Sequence, residues 1–130
     1  MIIYCCGCGV YISARLTDGS EIYPHREDLD SLPFWVCDRC NNYVGCHHKT
    51  QDRTNPLGSI PSAVLREKRK AIHAIIDPLW RGGKQSRGSV YAAMQNALGY
   101  QFHSAEINTI QQADAAITAA KQLRATLRVE

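Results

Sequence analysis

Two cysteine pairs with the same internal step, Cys5-x2-Cys8 and Cys37-x2-Cys40, constrain this chain more than any other feature. Two cysteines separated by a tight turn can aim both sulfurs at one point. Two such knuckles brought together build the closed tetrahedral thiolate shell that structural zinc sites prefer. Cys5, Cys8, Cys37 and Cys40 are therefore the candidate ligands of one structural Zn2+. Four thiolates leave no open coordination position, so such an ion holds a fold and does not activate water. Cys6 in place of Cys5 would leave a single residue before Cys8 and strain the knuckle. The interval between the pairs can fold back on itself. Val10, Ile12, Ala14 and Leu16 alternate with Tyr11, Ser13 and Arg15, the period of a strand with one buried face. Thr17-Asp18-Gly19-Ser20 predicts a hairpin turn, and Glu21 to Tyr23 its return strand.

Size sharpens the argument. The chain has 130 residues, 45% of them hydrophobic and 21% charged, enough for one compact unit or two small ones. A sub-region of about 50 residues cannot bury a sufficient core and needs a staple. No apolar run reaches membrane-spanning length, and Met1-Ile2-Ile3-Tyr4 lacks the basic start of a secretory signal. The expected compartment is the cytoplasm, where six cysteines argue for metal rather than disulfides.

The expected fold is α+β: a zinc ribbon of about three short antiparallel strands over residues 1–50, a linker at 51–58, and a small bundle of about three helices over 59–130. Phe34-Trp35-Val36 and Tyr43-Val44-Gly45 are the strand pieces beside the second cysteine pair, and Pro24 to Pro33 is a polar loop. Ser59 is the expected cap of a first helix with Val64, Leu65, Ile72, Ile76 and Leu79 on its apolar side, ending near Asp77-Pro78. A second runs from about Ser89 to Leu98, with Gly99 as its stop. Asn108 and Gln111 resemble a capping pair for a third, about Thr109 to Leu127, with Ile110, Ala113, Ile117, Ala120 and Leu127 at helical steps. Phe34, Trp35 and Trp80 are candidates for packing between the halves.

Charge is unevenly spread. Residues 1–65 carry five basic and seven acidic side chains, and residues 88–130 carry three of each. Between them, residues 66–87 carry seven basic side chains against Glu67 and Asp77. Arg66, Arg69 and Lys70, with His73, fall at spacings that form one helical stripe, and Arg81, Lys84 and Arg87 decorate a glycine-containing loop. Cations spaced this way can neutralise successive phosphates of DNA or RNA. The plainer reading of the same residues is a solvated helix face. Gly82-Gly83-Lys84-Gln85-Ser86 lacks the leading glycine and six-residue frame of a phosphate-binding P-loop. A second function class is a protein-interaction module without catalytic activity, modulating a host protein. Ala113, Ala116 and Ala120 would there permit close approach of another helix, including a second copy of the chain.

Several strings in order resemble a known family. They are Cys5-Cys6-Gly7-Cys8-Gly9, Asp18-Gly19-Ser20-Glu21-Ile22-Tyr23-Pro24-His25-Arg26, Phe34-Trp35-Val36-Cys37, Tyr43-Val44-Gly45-Cys46-His47 and Pro56-Leu57-Gly58. Together they resemble the zinc-finger-containing proteins of unknown function found in phages, prophages and mobile elements, over roughly residues 5–80. Tyr91-Ala92-Ala93 to Leu98-Gly99, with His103, is similar to the helical tail that follows such modules, although Ser104-Ala105 stand where the tail has glycine. The resemblance implies the four metal ligands and a phage-type accessory protein in the host cytoplasm, but no activity. It also directs attention to Tyr23, His25, Arg26, Cys46 and His47, either as one functional surface or as braces for the loop over the ribbon. A nucleophilic Cys46–His47 pair is disfavoured because adjacent strand residues point to opposite faces.

Overall fold

The alternating run from Val10 to Leu16 serves two sheets rather than one. In the structure, a computed structural model that describes residues 1–128, β1 (Ile2–Cys5) pairs antiparallel with β2 (Val10–Ser13), setting Ile3 opposite Ile12 and Tyr4 opposite Tyr11. Ala14 is the change-over, its N–H donated to the Met1 carbonyl at 2.9 Å. β3 (Arg15–Asp18) then joins β4 (Pro33–Val36) and β5 (Tyr43–Gly45) in an antiparallel sheet of order β3-β4-β5. The change of sheet interrupts the expected single buried face. Ile12 and Ala14 are buried, while Val10 and Leu16 are 47% and 45% exposed.

The expected hairpin at Thr17–Ser20 and return strand at Glu21–Tyr23 are replaced by a helical turn, α1 (Gly19–Ile22). Asp18 caps it by accepting the Ser20 N–H at 3.0 Å. A Cβ on Gly19 would lie 1.8 Å from the Leu29 carbonyl oxygen, so only glycine fits this crossing. A 3-10 turn at Glu27–Leu29 follows, and β4 becomes the partner of β3.

The chain divides into two compact units, Met1–Ala63 and the part from Val64 onward. The first is built around Ile3, Cys5, Ile12, Ala14, Trp35, Cys37, Val44, Cys46 and Ile60, with Cys8 and Cys40 packed against them. Trp35 belongs to this interior and donates its indole N–H to the Thr54 carbonyl at 2.6 Å. Phe34 meets Tyr23 and Tyr43 edge to face, and the two tyrosine hydroxyls lie 2.6 Å apart. Residues 51–58, which read as a linker, are laid back on the ribbon: Cys46 bridges to Pro56, and Leu57 donates to the Gly45 carbonyl at 3.0 Å. Ile60 continues this strap, donating to Tyr4 at 2.9 Å and accepting from Cys6 at 2.8 Å.

The second unit holds α2 (Ala63–Arg81), α3 (Arg87–Leu98) and α4 (Ile110–Arg128). Ser59 does not cap α2. It stands beside Cys6, 3.6 Å from that sulfur, and the extended pairing of Ile60 delays the helix to Ala63. α2 also continues through Pro78 to Arg81, one turn beyond its expected end. Proline there withdraws its own N–H from the helical ladder, one turn before the helix ends. Leu65, Ile72, Ile75 and Ile76 are buried on α2, while Val64 is exposed. Ser86 caps α3 through the Ser89 N–H at 3.0 Å, and Gly99 ends it in the left-handed region at φ 80. The cap of α4 sits one residue later than the sequence suggests. Thr109 accepts the Gln112 N–H, and the Gln112 side chain accepts the Asn108 N–H, both at 3.1 Å. Ala113, Ala116 and Ala120 are fully buried within the single chain, so they do not offer a second copy the open small-residue face that the sequence suggested.

Candidate metal centre and basic turn

The two knuckles have the same backbone. In the first, the Gly9 N–H returns to the Cys5 carbonyl at 2.8 Å; in the second, the Asn41 N–H returns to the Cys37 carbonyl at 2.7 Å. Both residues lie at positive φ, 73 for Gly9 and 63 for Asn41, the left-handed region that glycine and asparagine enter most readily. β1 delivers Cys5, and the end of β4 delivers Cys37. The four sulfurs of Cys5, Cys8, Cys37 and Cys40 all lie within 4.8 Å of one another. Cys5 and Cys40 are 3.4 Å apart, and Cys8 and Cys37 are 3.7 Å apart. Thiolates bound tetrahedrally at about 2.3 Å from zinc stand about 3.8 Å from each other, so the cluster fits that ion.

Burial pushes the Cys5 thiol up to about 12, so an isolated thiolate is costly here and a divalent ion must displace its proton. Burial also works against ionisation of Cys40, but N–H groups of Asn42 and the neighbouring thiols hold it down at about 7. The Asn42 side-chain amide donates to the Cys40 sulfur at 3.1 Å. That amide occupies the space a Cβ on Gly7 would need, at 2.6 Å, which ties one knuckle to the other. Outside the shell, Arg15 forks between Glu21 and Asp38, with its closest contacts at 2.9 Å to each. Hydrogen bonds from Arg15 and then Thr17 hold the Glu21 carboxyl down at about 2. The fork links β3, α1 and the second knuckle on the surface of the unit.

The five residues singled out by the family pattern are not drawn into one site. Tyr23 lies in the aromatic cluster with Phe34 and Tyr43. His25 and Arg26 are exposed, and Arg26 pairs with Asp28 at 2.8 Å. Cys46 is buried and its thiol is pushed up by that burial, the reverse of an activated nucleophile. His47 is exposed and uses its backbone N–H on Asn55. Among the described residues, no side-chain hydrogen bond joins any two of the five.

The basic segment separates into two groups. Arg69 departs from the expected phosphate-binding stripe: it is 9% exposed and donates Nε and Nη2 to the Ile107 carbonyl at 3.2 and 2.7 Å. Its spacing from Leu65, Ile72 and Ile76 places it on the buried side of α2, a signal already present in the helical period. Arg66 is half-buried, and Lys70 is exposed beside Glu67 at 3.4 Å. His73 joins Asp77 at 3.3 Å and Ser104 at 2.6 Å, tying the segment before α4 to α2.

Arg81, Lys84 and Arg87, by contrast, are all exposed around the turn from α2 to α3. Two aromatic rings lie beneath the two arginines, a feature that spacing in the sequence did not indicate. The Arg81 guanidinium stands 5.3 Å from the Trp80 ring centre. Arg87 spans two rings, 6.0 Å from that of Trp80 and 4.5 Å from that of Tyr91.

Among the described residues, no helix is long and apolar enough to cross a membrane. No match was found among curated proteins or among solved structures. A family model described as a zinc-finger-containing domain matches residues 1–124, nearly the whole chain. The chain therefore belongs to that zinc-finger-containing family, and Cys5, Cys8, Cys37 and Cys40 hold its one structural zinc ion.

Proposed function

We propose that this zinc-binding protein contacts nucleic acid through the turn between α2 and α3, in the accessory role its likeness to phage and mobile-element proteins suggests. One observation carries the reading. From residue 78 to residue 105 there is no aspartate or glutamate, while Arg81, Lys84 and Arg87 all face solvent. The preceding carboxylate, Asp77, reaches Arg81 only at 3.8 Å. Among the described residues, neither Lys84 nor Arg87 has a carboxylate partner. A cationic turn with only one long internal ion pair gains most from phosphate, because binding releases the counterions condensed on the strand. Zinc in this reading holds the ribbon unit in shape.

Fluorescence anisotropy with labelled oligonucleotides tests it. Binding should weaken steeply between about 50 and 200 mM salt. Substituting Arg81, Lys84 and Arg87 together with alanine should lower affinity about tenfold or more at low salt, whatever the base sequence, and flatten the salt dependence. Equal binding by this triple variant and the wild type would overturn the assignment. A protein-contact module is the second reading, favoured by the exposed Ile2 and Tyr11 on the β1–β2 hairpin. It predicts that the same three substitutions leave partner binding intact.

A further inference from the structure

We infer that the ligand of this turn is single-stranded, with Trp80 and Tyr91 forming a ledge on which unpaired bases stack. The inference rests on the nucleic-acid reading above and specifies the form of nucleic acid. Trp80 lies in the last turn of α2 and Tyr91 in the second turn of α3, so the glycine-containing loop between the helices sets two aromatic rings beside Arg81 and Arg87. In the free protein the faces of both rings are shared by arginines: Arg81 over Trp80, and Arg87 over Trp80 and Tyr91, with Nη2 of Arg87 3.3 Å from the Tyr91 hydroxyl. These guanidiniums are held by ring faces rather than by carboxylates at close range. A phosphate is a stronger partner for a guanidinium than a ring face is.

Arrival of a phosphate chain therefore draws Arg81 and Arg87 outward and uncovers the rings. Gly82, Gly83 and Gly88 flank the two arginines and offer little steric resistance to that movement. Cβ atoms built at Gly83 would meet nothing within 4 Å, and at Gly82 and Gly88 the closest contacts would be 3.4 and 3.9 Å. A duplex presents this surface with phosphates only, because its bases are already stacked on one another. An unpaired base has a free π face and gains by lying on indole or phenol.

Three ligands of matched charge separate the possibilities in the wild-type protein. They are oligothymidylate of about a dozen nucleotides, an abasic oligonucleotide of the same length, and a hairpin duplex folded from one strand of that length. Oligothymidylate should bind about tenfold tighter than the abasic strand and quench tryptophan emission. Trp80→Leu and Tyr91→Leu should each shrink that difference. Equal affinity for thymidylate and abasic strands, or preference for the duplex, would overturn the ledge and leave the phosphate reading standing. No binding of any of the three at low salt would overturn both.

Discussion

The ribbon unit spreads its interior over five short strands, and four of the groups at its centre are sulfur atoms bound for one ion. The helical unit has no comparable cluster among its described residues. It relies on long elements with caps at Ser86, Thr109 and Gly99 and on buried side chains such as Leu65, Ile72, Met94 and Phe102. The difference follows from geometry. Strands of three or four residues bury between none and three side chains each, too little to offset the ordering of some sixty residues. A helix of nineteen residues presents several turns of one apolar face. Metal replaces area where the elements are short.

The largest effect expected from this contrast comes from Cys37→Ser. Losing one thiolate should remove on the order of 10 kcal/mol of metal-linked folding energy. Zinc content should fall to near zero and the near-ultraviolet signal of Trp35 should disappear, while helical far-ultraviolet ellipticity remains. Collapse of both signals in one transition would show that the helices depend on the zinc as much as the strands do. A smaller effect is expected from Arg69→Met, which keeps volume but leaves the Ile107 carbonyl without its guanidinium. Urea unfolding of the helical unit should lose about 2 kcal/mol, with zinc content and oligonucleotide affinity unchanged; weakened affinity without lost stability would return Arg69 to the binding surface.

The smallest effect belongs to the surface fork of the ribbon. Glu21 titrates at about 2 in the folded chain against an ordinary 4.5, chiefly because Arg15 donates to its carboxylate. A folded pKa below the unfolded one contributes stability that is complete above 4.5 and lost as the pH falls towards 2. Glu21→Gln should therefore lower Tm by a few degrees at most at neutral pH, with the gap between variant and wild type closing in acid. The gap is the measurement, because acid also protonates the zinc ligands. A gap independent of pH would mean that the fork contributes no charge interaction.

The metal site was legible because a knuckle is local: two cysteines and a turn are specified within a few adjacent residues. Gly99 was legible for the same reason, as a helix stop needs only one residue able to adopt positive φ. The turn at Gly19–Ile22 was not, since what requires glycine at its first position is the approach of the Leu29 carbonyl, an event of tertiary structure. The double use of Val10 to Leu16 was hidden likewise, because alternation names a face without naming a sheet. Arg69 misled by chemistry rather than position. Its charge suggested the surface, while its step from Leu65 and Ile72 placed it inside. The aromatic floor of the basic turn joins two helices and surfaced only when their rings were seen under the same arginines.

The amide of Asn42 has one further consequence. It donates to a zinc-binding sulfur in its own knuckle while filling the place where any side chain at position 7 would begin. The two sites are thus a single locus for evolutionary change. A lineage that acquires alanine at 7 must surrender the amide at 42 or its bond to sulfur, so related chains should exchange these residues in pairs rather than one at a time.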